Sequence, residues 1–468
     1  MNEKDTIAAI ATGLVESGIG IIRISGSRAI EIADGVFGTR EGKRLNLTEA
    51  ESHTIHYGFI YDGLRTIDEC LISIMRAPRS FTSEDTVEIN CHGGPFILTK
   101  VLDIVIKNGA RLAEPGEFTK RAFLNGRIDL SEAESVMDLI SSRSEYSLDT
   151  SIRNLKGQVY EKVCMLRESI LTETAYIEAV IDDPEHYSFE SHIRDFSLFL
   201  ETVSGDIETI IKDSENGAIL KEGIKAVVIG KPNVGKSTLF NKLIGREAAI
   251  VTDLAGTTRD ILETEVRFNG LLIRFFDTAG IHETSDRIEI IGVEKSRKVI
   301  QDADLVIFMM DKSSKIDKDD REILDYINGS DKKYFILLNK SDLSPVIGSS
   351  ELESCLSVNN GQFLGFIDIS AKRGENLDSI LEKIHDYFMR GEISFNQEVI
   401  LSNKRQIGEM KKAAESISNV KAAFESGLSE EFYSVDLMSA YESLGRIIGK
   451  SVEDDLADKI FADFCMGK

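Results

Sequence analysis

The sequence predicts a multidomain chain of α+β and α/β character: an α+β N-terminal domain, a discontinuous all-α helical domain, and a doubly wound α/β domain inserted into the helical one. Three observations predict it. Short apolar runs set among glycines fill the first quarter, apolar strand-like runs alternate with helix-like stretches through the middle, and helical periodicity lies on both sides of that middle. At 468 residues the chain has room for about three domains with separate cores.

Taken in order, residues 1–126 carry GIGIIRISG (Gly18 to Gly26) and DTVEINCHGG (Asp85 to Gly94), which read as strands of an α+β domain. Over 127–220 glycine and proline become scarce. Ser131 to Ile140 and Gly157 to Ile181 place apolar residues at helical spacing, and Pro184, in DDPEH, stops the second helix. Over 221–388 the runs Lys225 to Ile229, Leu271 to Phe276, Leu305 to Met310, Tyr334 to Leu338 and Phe363 to Ile369 alternate with helical stretches, so a mainly parallel sheet is expected. Residues 389–468 are helical again, which makes the middle domain an insertion, since inserted domains enter at tolerated loops and have close termini.

Composition removes several function classes. A hydrophobic fraction of 42% with 29% charged residues and no low-complexity tract fits packed domains and excludes a disordered chain. The start, MNEKDTIAAIAT, holds acids and no apolar leader core, and no stretch approaches the roughly 18 uncharged residues of a membrane span, so a cytoplasmic protein is expected. The cysteines Cys70, Cys91, Cys164, Cys355 and Cys465 form no CxxC, which suits a reducing compartment and indicates neither a disulfide framework nor a cysteine zinc site. A formal net charge of -24 argues against broad nonspecific binding to nucleic acid. Lys404, Arg405, Lys411 and Lys412 form one candidate basic surface for a polyanion, and a solvated helix face is the plainer reading of the same spacing.

The middle domain carries the chemistry. Val227, Val228 and Ile229 end a strand, and Gly230-Lys-Pro-Asn233-Val234-Gly235-Lys236-Ser237-Thr238 turns into a helix, the pattern of a phosphate loop. Its glycines let backbone N–H groups wrap phosphates, Lys236 sets a cation on the β/γ oxygens, and the Ser237 hydroxyl can ligate Mg2+. In TDLAGTTRD, the segment Thr252, Asp253, Leu254, Ala255, Gly256, Thr257 and Thr258 can bring a hydroxyl to the metal when the γ-phosphate is present, and Thr258 is the Mg2+ candidate. Asp277-Thr278-Ala279-Gly280 follows the strand LLIRFF, where the carboxylate can hold the metal through water and Gly280 can offer an N–H to the γ-phosphate.

Base choice falls to Asn339-Lys340-Ser341-Asp342, because a carboxylate can accept two hydrogens from the N1 and N2 edge of guanine and adenine lacks that donor pair. Ser370-Ala371-Lys372 completes the base pocket. Together these segments predict GTP binding and hydrolysis. Ile281 stands directly after DTAG, where Ras-like proteins place a water-orienting glutamine, and no arginine finger is evident. Another polar side chain and another positive charge are required, and His282, Glu283, Asp286 and Glu289 are the nearby candidates.

These features, with DTIAAIAT, SFTSEDTVEINCHGG, EPGEFTKRAFLNGRIDLSEAE, AAIVTDLAGTTRD and the terminal FCMGK (Phe464 to Lys468), resemble the MnmE (TrmE) family of tRNA-modification GTPases over nearly the whole length. The resemblance implies a tetrahydrofolate-binding N-terminal domain that dimerises, the split helical domain, and an inserted P-loop GTPase domain. It implies K+ in place of an arginine finger when two G domains pair transiently, ligated by Asn233 with backbone oxygens of Thr252, Leu254 and Thr257, and it assigns the water-orienting role to Glu289. A monovalent cation near the β/γ bridge supplies the transition-state charge the chain otherwise lacks.

By the same resemblance Arg23, Glu88, Arg127 and Lys468 contact a 5-formyl- or methylene-tetrahydrofolate, with Arg127 standing where lysine is commoner. Cys465 is either a catalytic thiol or a small residue packed in the tail. The implied activity is a potassium-activated GTPase that works with the FAD-dependent flavoprotein MnmG (GidA), in a heterotetramer, on the wobble uridine of certain tRNAs. The competing expectation is a regulatory switch or ribosome-assembly GTPase without tRNA chemistry, for which residues 1–126 and the FCMGK tail have no use.

Overall fold

The computed structural model describes residues 5–244, 262–277, 300–347, 362–390 and 399–450, together with 460, 464 and 467. These form two compact units, one built from Met1–Ile140, Arg153–Ile207 and Lys404–Lys468, the other from Ser141–Ile152 and Glu208–Asn403.

The chain opens with β1 (Ile7–Ile10), β2 (Ser17–Ser25), α1 (Ala29–Val36), β3 (Phe37–Gly38), β4 (Thr54–Asp62), β5 (Arg65–Met75), β6 (Thr86–Gly93), α2 (Pro95–Lys107), β7 (Arg111–Leu112) and α3 (Glu117–Leu124). The seven strands make one sheet in the order β3-β4-β5-β6-β2-β1-β7. Side chains of period two send Ile22, Ile24, Ile72, Ile74, Val87 and Ile89 inward against Ile30, Ala33, Leu98 and Val101 of α1 and α2. The helix lies so close that a Cβ on Gly20 would come within 2.5 Å of Leu98 Cδ2. Arg23 sits between the two inward isoleucines and pairs in register with Glu88 of β6.

Four helices follow: α4 (Leu130–Ser141), α5 (Glu145–Leu155), α6 (Gln158–Asp182) and α7 (Ile193–Glu222). A capping box starts α4: Asp129 Oδ1 accepts from Ser131 N at 2.6 Å and Glu132 N at 3.0 Å, while Glu132 Oε2 accepts from Asp129 N at 2.8 Å. Helix α6 ends two residues before Pro184, because proline biases its predecessor out of the helical region.

The middle domain contains β8 (Ile224–Ile229), α8 (Lys236–Ile244), β9 (Leu262–Phe268), β10 (Leu271–Asp277), β11 (Leu305–Asp311), α9 (Lys318–Asn328), β12 (Tyr334–Asn339), β13 (Phe363–Asp368) and α10 (Leu377–Arg390). The sheet order is β13-β12-β11-β8-β10-β9, parallel except where β9 hairpins onto β10. One face packs on Leu239, Leu243, Ile380 and Ile384 of α8 and α10, the other on Leu324 and Ile327 of α9, so the sheet is covered on both sides. That double cover is why β8, β11 and β12 read as predominantly apolar runs, broken only by Lys225 and by the polar residues that close β11 and β12.

The last helices are α11 (Lys404–Glu425) and α12 (Glu430–Ile447), which pack on each other, with α12 also against α6. Arg405 joins α11 to α4, its Nε and Nη2 each donating to Glu134 at 2.8 Å, and it also donates to the carbonyls of Arg446 at 2.7 Å and Ile447 at 3.0 Å. Of the basic cluster read from the sequence, Arg405 is engaged inside the fold, while Lys404, Lys411 and Lys412 are exposed on the helix face, Lys412 pairing with Glu409 at 2.6 Å. Among the described residues no helix is long and apolar enough to cross a membrane.

Candidate nucleotide site

Strand β8 lies between β10 and β11, where the strand order reverses, and such switch points open a crevice at the carboxyl ends of the strands. The phosphate loop occupies that position. Gly230 has φ +151° and a Cβ there would meet Met309 O at 2.3 Å, while Gly235 has φ +109° and a Cβ would meet Asn339 Nδ2 at 2.3 Å. Only glycine tolerates both the dihedral and the approach. Asn233 adopts φ +64°, a left-handed conformation in which asparagine is enriched, and it is exposed.

Helix α8 starts with Leu239 N donating to Gly235 O at 3.0 Å, and its first-turn N–H groups and dipole form an anion site. Lys236 is 7% exposed, with Nζ donating to Gly230 O at 2.6 Å and Lys231 O at 2.9 Å. Ser237 and Thr238 are exposed at the same helix start. Asp277 closes β10 in register with Val228, so its backbone lies at the carboxyl end beside the loop.

Asn339, 3% exposed at the end of β12, joins three predicted segments. Its Nδ2 donates to Val234 O at 2.7 Å in the phosphate loop, and its Oδ1 accepts from Ala371 N at 2.9 Å in the Ser-Ala-Lys segment. Lys340 has φ +65° and its Nζ meets Asp311 Oδ2 at 2.5 Å. Burial pushes the Asp311 carboxyl up, but Lys340 and the Ser313 N–H and hydroxyl outweigh it and hold the group below its ordinary value. Asp342 Oδ1 accepts from Ser370 Oγ at 2.7 Å, and this bond, with Arg373 nearby, holds Asp342 ionised below the usual carboxylate range, ready to accept from a base edge. Lys372 is exposed beside it.

The structure thus brings together Asn233, Val234, Gly235, Lys236, Ser237, Thr238, Asn339, Lys340, Asp342, Ser370, Ala371 and Lys372. The predicted residues Thr252 to Thr258, Thr278 to Gly280, Glu289, Cys465 and Lys468, with the Asp277 side chain, lie outside the described residues. Sequence reasoning missed Asp311. Its signal is an acid closing the apolar run LVIFMM, at the strand end next to the one that carries Asn339. It also missed Lys231, whose ammonium contacts Asp317 at 2.5 Å and Asp320 at 2.7 Å.

A second cluster lies in the N-terminal sheet. Arg23 Nε donates to Glu88 Oε1 at 2.9 Å and Nη1 donates to Gly467 O at 3.3 Å, so the chain's penultimate residue reaches Arg23. The Arg23 guanidinium lies 5.8 Å from the Phe81 ring centre and that of Arg127 lies 5.0 Å from it. Arg127 and Phe81 also line an open surface pocket of about 410 Å³ with His53, Met75, Arg79 and Ser80. Two of the four predicted residues, Arg23 and Arg127, thereby meet at one aromatic ring, and a third, Glu88, is held by Arg23.

A family model for the MnmE helical domain matches residues 130–465, and one for the GTP-binding protein TrmE N-terminus matches residues 6–127. A tRNA modification GTPase MnmE from Lachnoclostridium phytofermentans is 50% identical over 470 residues, covering 100% of both chains. The chain belongs to the MnmE family of tRNA modification GTPases. Two further MnmE relatives agree: that of Lactococcus lactis is 42% identical, covering 100% of this chain and 99% of its own, and that of Acetivibrio thermocellus is 44% identical, covering 100% of both. As an MnmE-family member the chain is a GTP hydrolase of tRNA modification.

Proposed function

We propose that this chain is a potassium-activated GTPase that, with an FAD-dependent partner, adds an aminomethyl or carboxymethylaminomethyl group to C5 of the wobble uridine of certain tRNAs. The observation that carries the reading is the joint at Asn339, which binds a phosphate loop to a guanine-reading carboxylate within one rigid set of hydrogen bonds. Around it, Lys236 and the α8 N-terminus take the phosphates and Asp342 takes the base edge.

The residues present fit the ions. The exposed Ser237 hydroxyl at the helix start, with Asp277 and Thr258, would hold Mg2+; the exposed Asn233 carboxamide, with Thr252, Leu254 and Thr257, would hold K+. Bound there, the two cations supply positive charge to the transferring phosphoryl group. Glu289 orients the attacking water.

The N-terminal cluster fits a reduced folate: Arg127 and the Phe81 ring line an open pocket, Arg23 and Glu88 present a guanidinium and a carboxylate, and Lys468 follows the residue that Arg23 already contacts. Bound tetrahydrofolate supplies a one-carbon unit. We assign 1–126 to this domain, 127–220 and 389–468 to the helical domain and 221–388 to the G domain, with a homodimer through the first, transient pairing of the G domains, and MnmG and tRNA as cytoplasmic partners. The deciding experiment is nucleoside analysis of tRNA from cells lacking the protein, complemented with the wild type or with Glu289→Ala. Loss of the modified wobble uridine, restored only by the wild type, supports the reading; a normal profile in the deleted strain rejects it in favour of a switch GTPase.

A further inference from the structure

The phosphate loop is held at both edges. Asn339 fixes the trailing edge through Val234 O. The leading edge follows Gly230, whose φ of +151° gives it no stiffness of its own, and there Lys231 is the anchor. Its side chain is clamped by Asp317 at 2.5 Å and Asp320 at 2.7 Å, while its carbonyl, with that of Gly230, receives the Lys236 ammonium.

The two carboxylates form a receptor already in place. Asp317 caps α9, its Oδ1 accepting from Asp320 N at 3.1 Å, and Asp320 Oδ2 accepts in return from Asp317 N at 3.2 Å. The Asp320 side chain is 4% exposed, so its charge depends on the cation that reaches it. One compact ammonium can serve two carboxylates at once, which suits lysine at this position.

We propose that Lys231 is a positioning residue for nucleotide binding: clamped by Asp317 and Asp320, it fixes the leading edge of the phosphate loop and the pair of carbonyls from which Lys236 moves to the phosphates. The inference rests on the GTP reading of this site. A loop held in its binding shape before the ligand arrives spends less of the binding energy on ordering. Once nucleotide is bound, its phosphates hold the loop through the backbone N–H groups, so the anchor acts on affinity and leaves the chemical step alone.

The test uses the whole chain with Lys231→Met, Lys231→Arg and the double variant Lys231→Met with Asp320→Asn, which removes the buried charge along with its cation and so protects folding. Binding of a fluorescent GDP, GTP turnover and nucleotide-free thermal unfolding are measured for each. Lys231→Met and the double variant are expected to raise Kd for GDP and KM for GTP about tenfold, with kcat at saturation within about twofold of wild type, and Lys231→Arg to recover most of the affinity. Unchanged Kd and KM alongside a lowered unfolding temperature would show a merely structural ion pair and overturn the proposal. A wild-type chain that binds no guanine nucleotide would overturn the parent reading and the anchor with it.

Discussion

Replacing Asn339 with Ala removes two hydrogen bonds from the interior of the nucleotide site. Val234 O loses its 2.7 Å donor and Ala371 N its 2.9 Å acceptor, both in residues no more than 3% exposed. A buried polar group left without a partner costs about 1–3 kcal/mol, so the pair costs about 2–6 kcal/mol. Even the lower figure is roughly a thirtyfold change in an equilibrium constant. The bonds exist in the nucleotide-free fold, so part of the loss falls on stability, and the remainder falls on binding, which must bring two loosened loops together. Shared evenly, the lower figure predicts that urea unfolding of the nucleotide-free chain loses about 1 kcal/mol and that titration with a fluorescent GDP gives a Kd about fivefold higher, with larger changes toward the upper figure. If the unfolding free energy stays within about 0.5 kcal/mol of wild type and Kd within about a factor of two, the joint does not hold the site together and the reasoning fails.

Further outcomes follow from the same contacts. Asp311 is held below its ordinary carboxylate value in the folded chain, so the stability it provides is complete above about pH 4 and disappears as the pH falls through the folded value. Asp311→Asn should flatten that acid limb in urea unfolding below about pH 4 and should weaken GDP binding, because Lys340 loses the carboxylate 2.5 Å away; an unchanged acid limb would refute the assignment. Arg405→Met should destabilise the unit containing α4, α11 and α12 by about 2 kcal/mol, less than a wholly orphaned buried charge would cost, because Gln406 still donates to Glu134 at 2.6 Å. Calorimetry that shows no shift in the corresponding transition would contradict this.

Which parts could be read from the chain alone follows from how local their causes are. The five apolar runs of the middle domain became strands within two residues of their expected ends, and in β8, β11 and β12 burial on both faces removes any alternation that could be mistaken for another element. Strand β9 escaped because TEVRF alternates polar and apolar at the sheet edge, although the Asn269-Gly270 turn after it, with φ of +46° and +83°, is a hairpin signal. The phosphate loop and base residues were legible because their chemistry fixes residue types at short spacing. Asp311 on Lys340 and Lys231 on Asp317 and Asp320 were not, because each joins segments tens of residues apart and only the parallel sheet brings them together. Arg405 shows the same limit more sharply: read as part of a basic face, it is bound to a glutamate 271 positions earlier.

In the proposed function a monovalent cation at Asn233 supplies the charge that Ras-like proteins obtain from an arginine. The direct measurement is GTP turnover by the whole chain at constant ionic strength with K+ exchanged for Na+, alongside GDP binding in each salt. Turnover that falls by about an order of magnitude or more in Na+, with binding preserved, is the predicted result. Equal turnover in the two salts would contradict it.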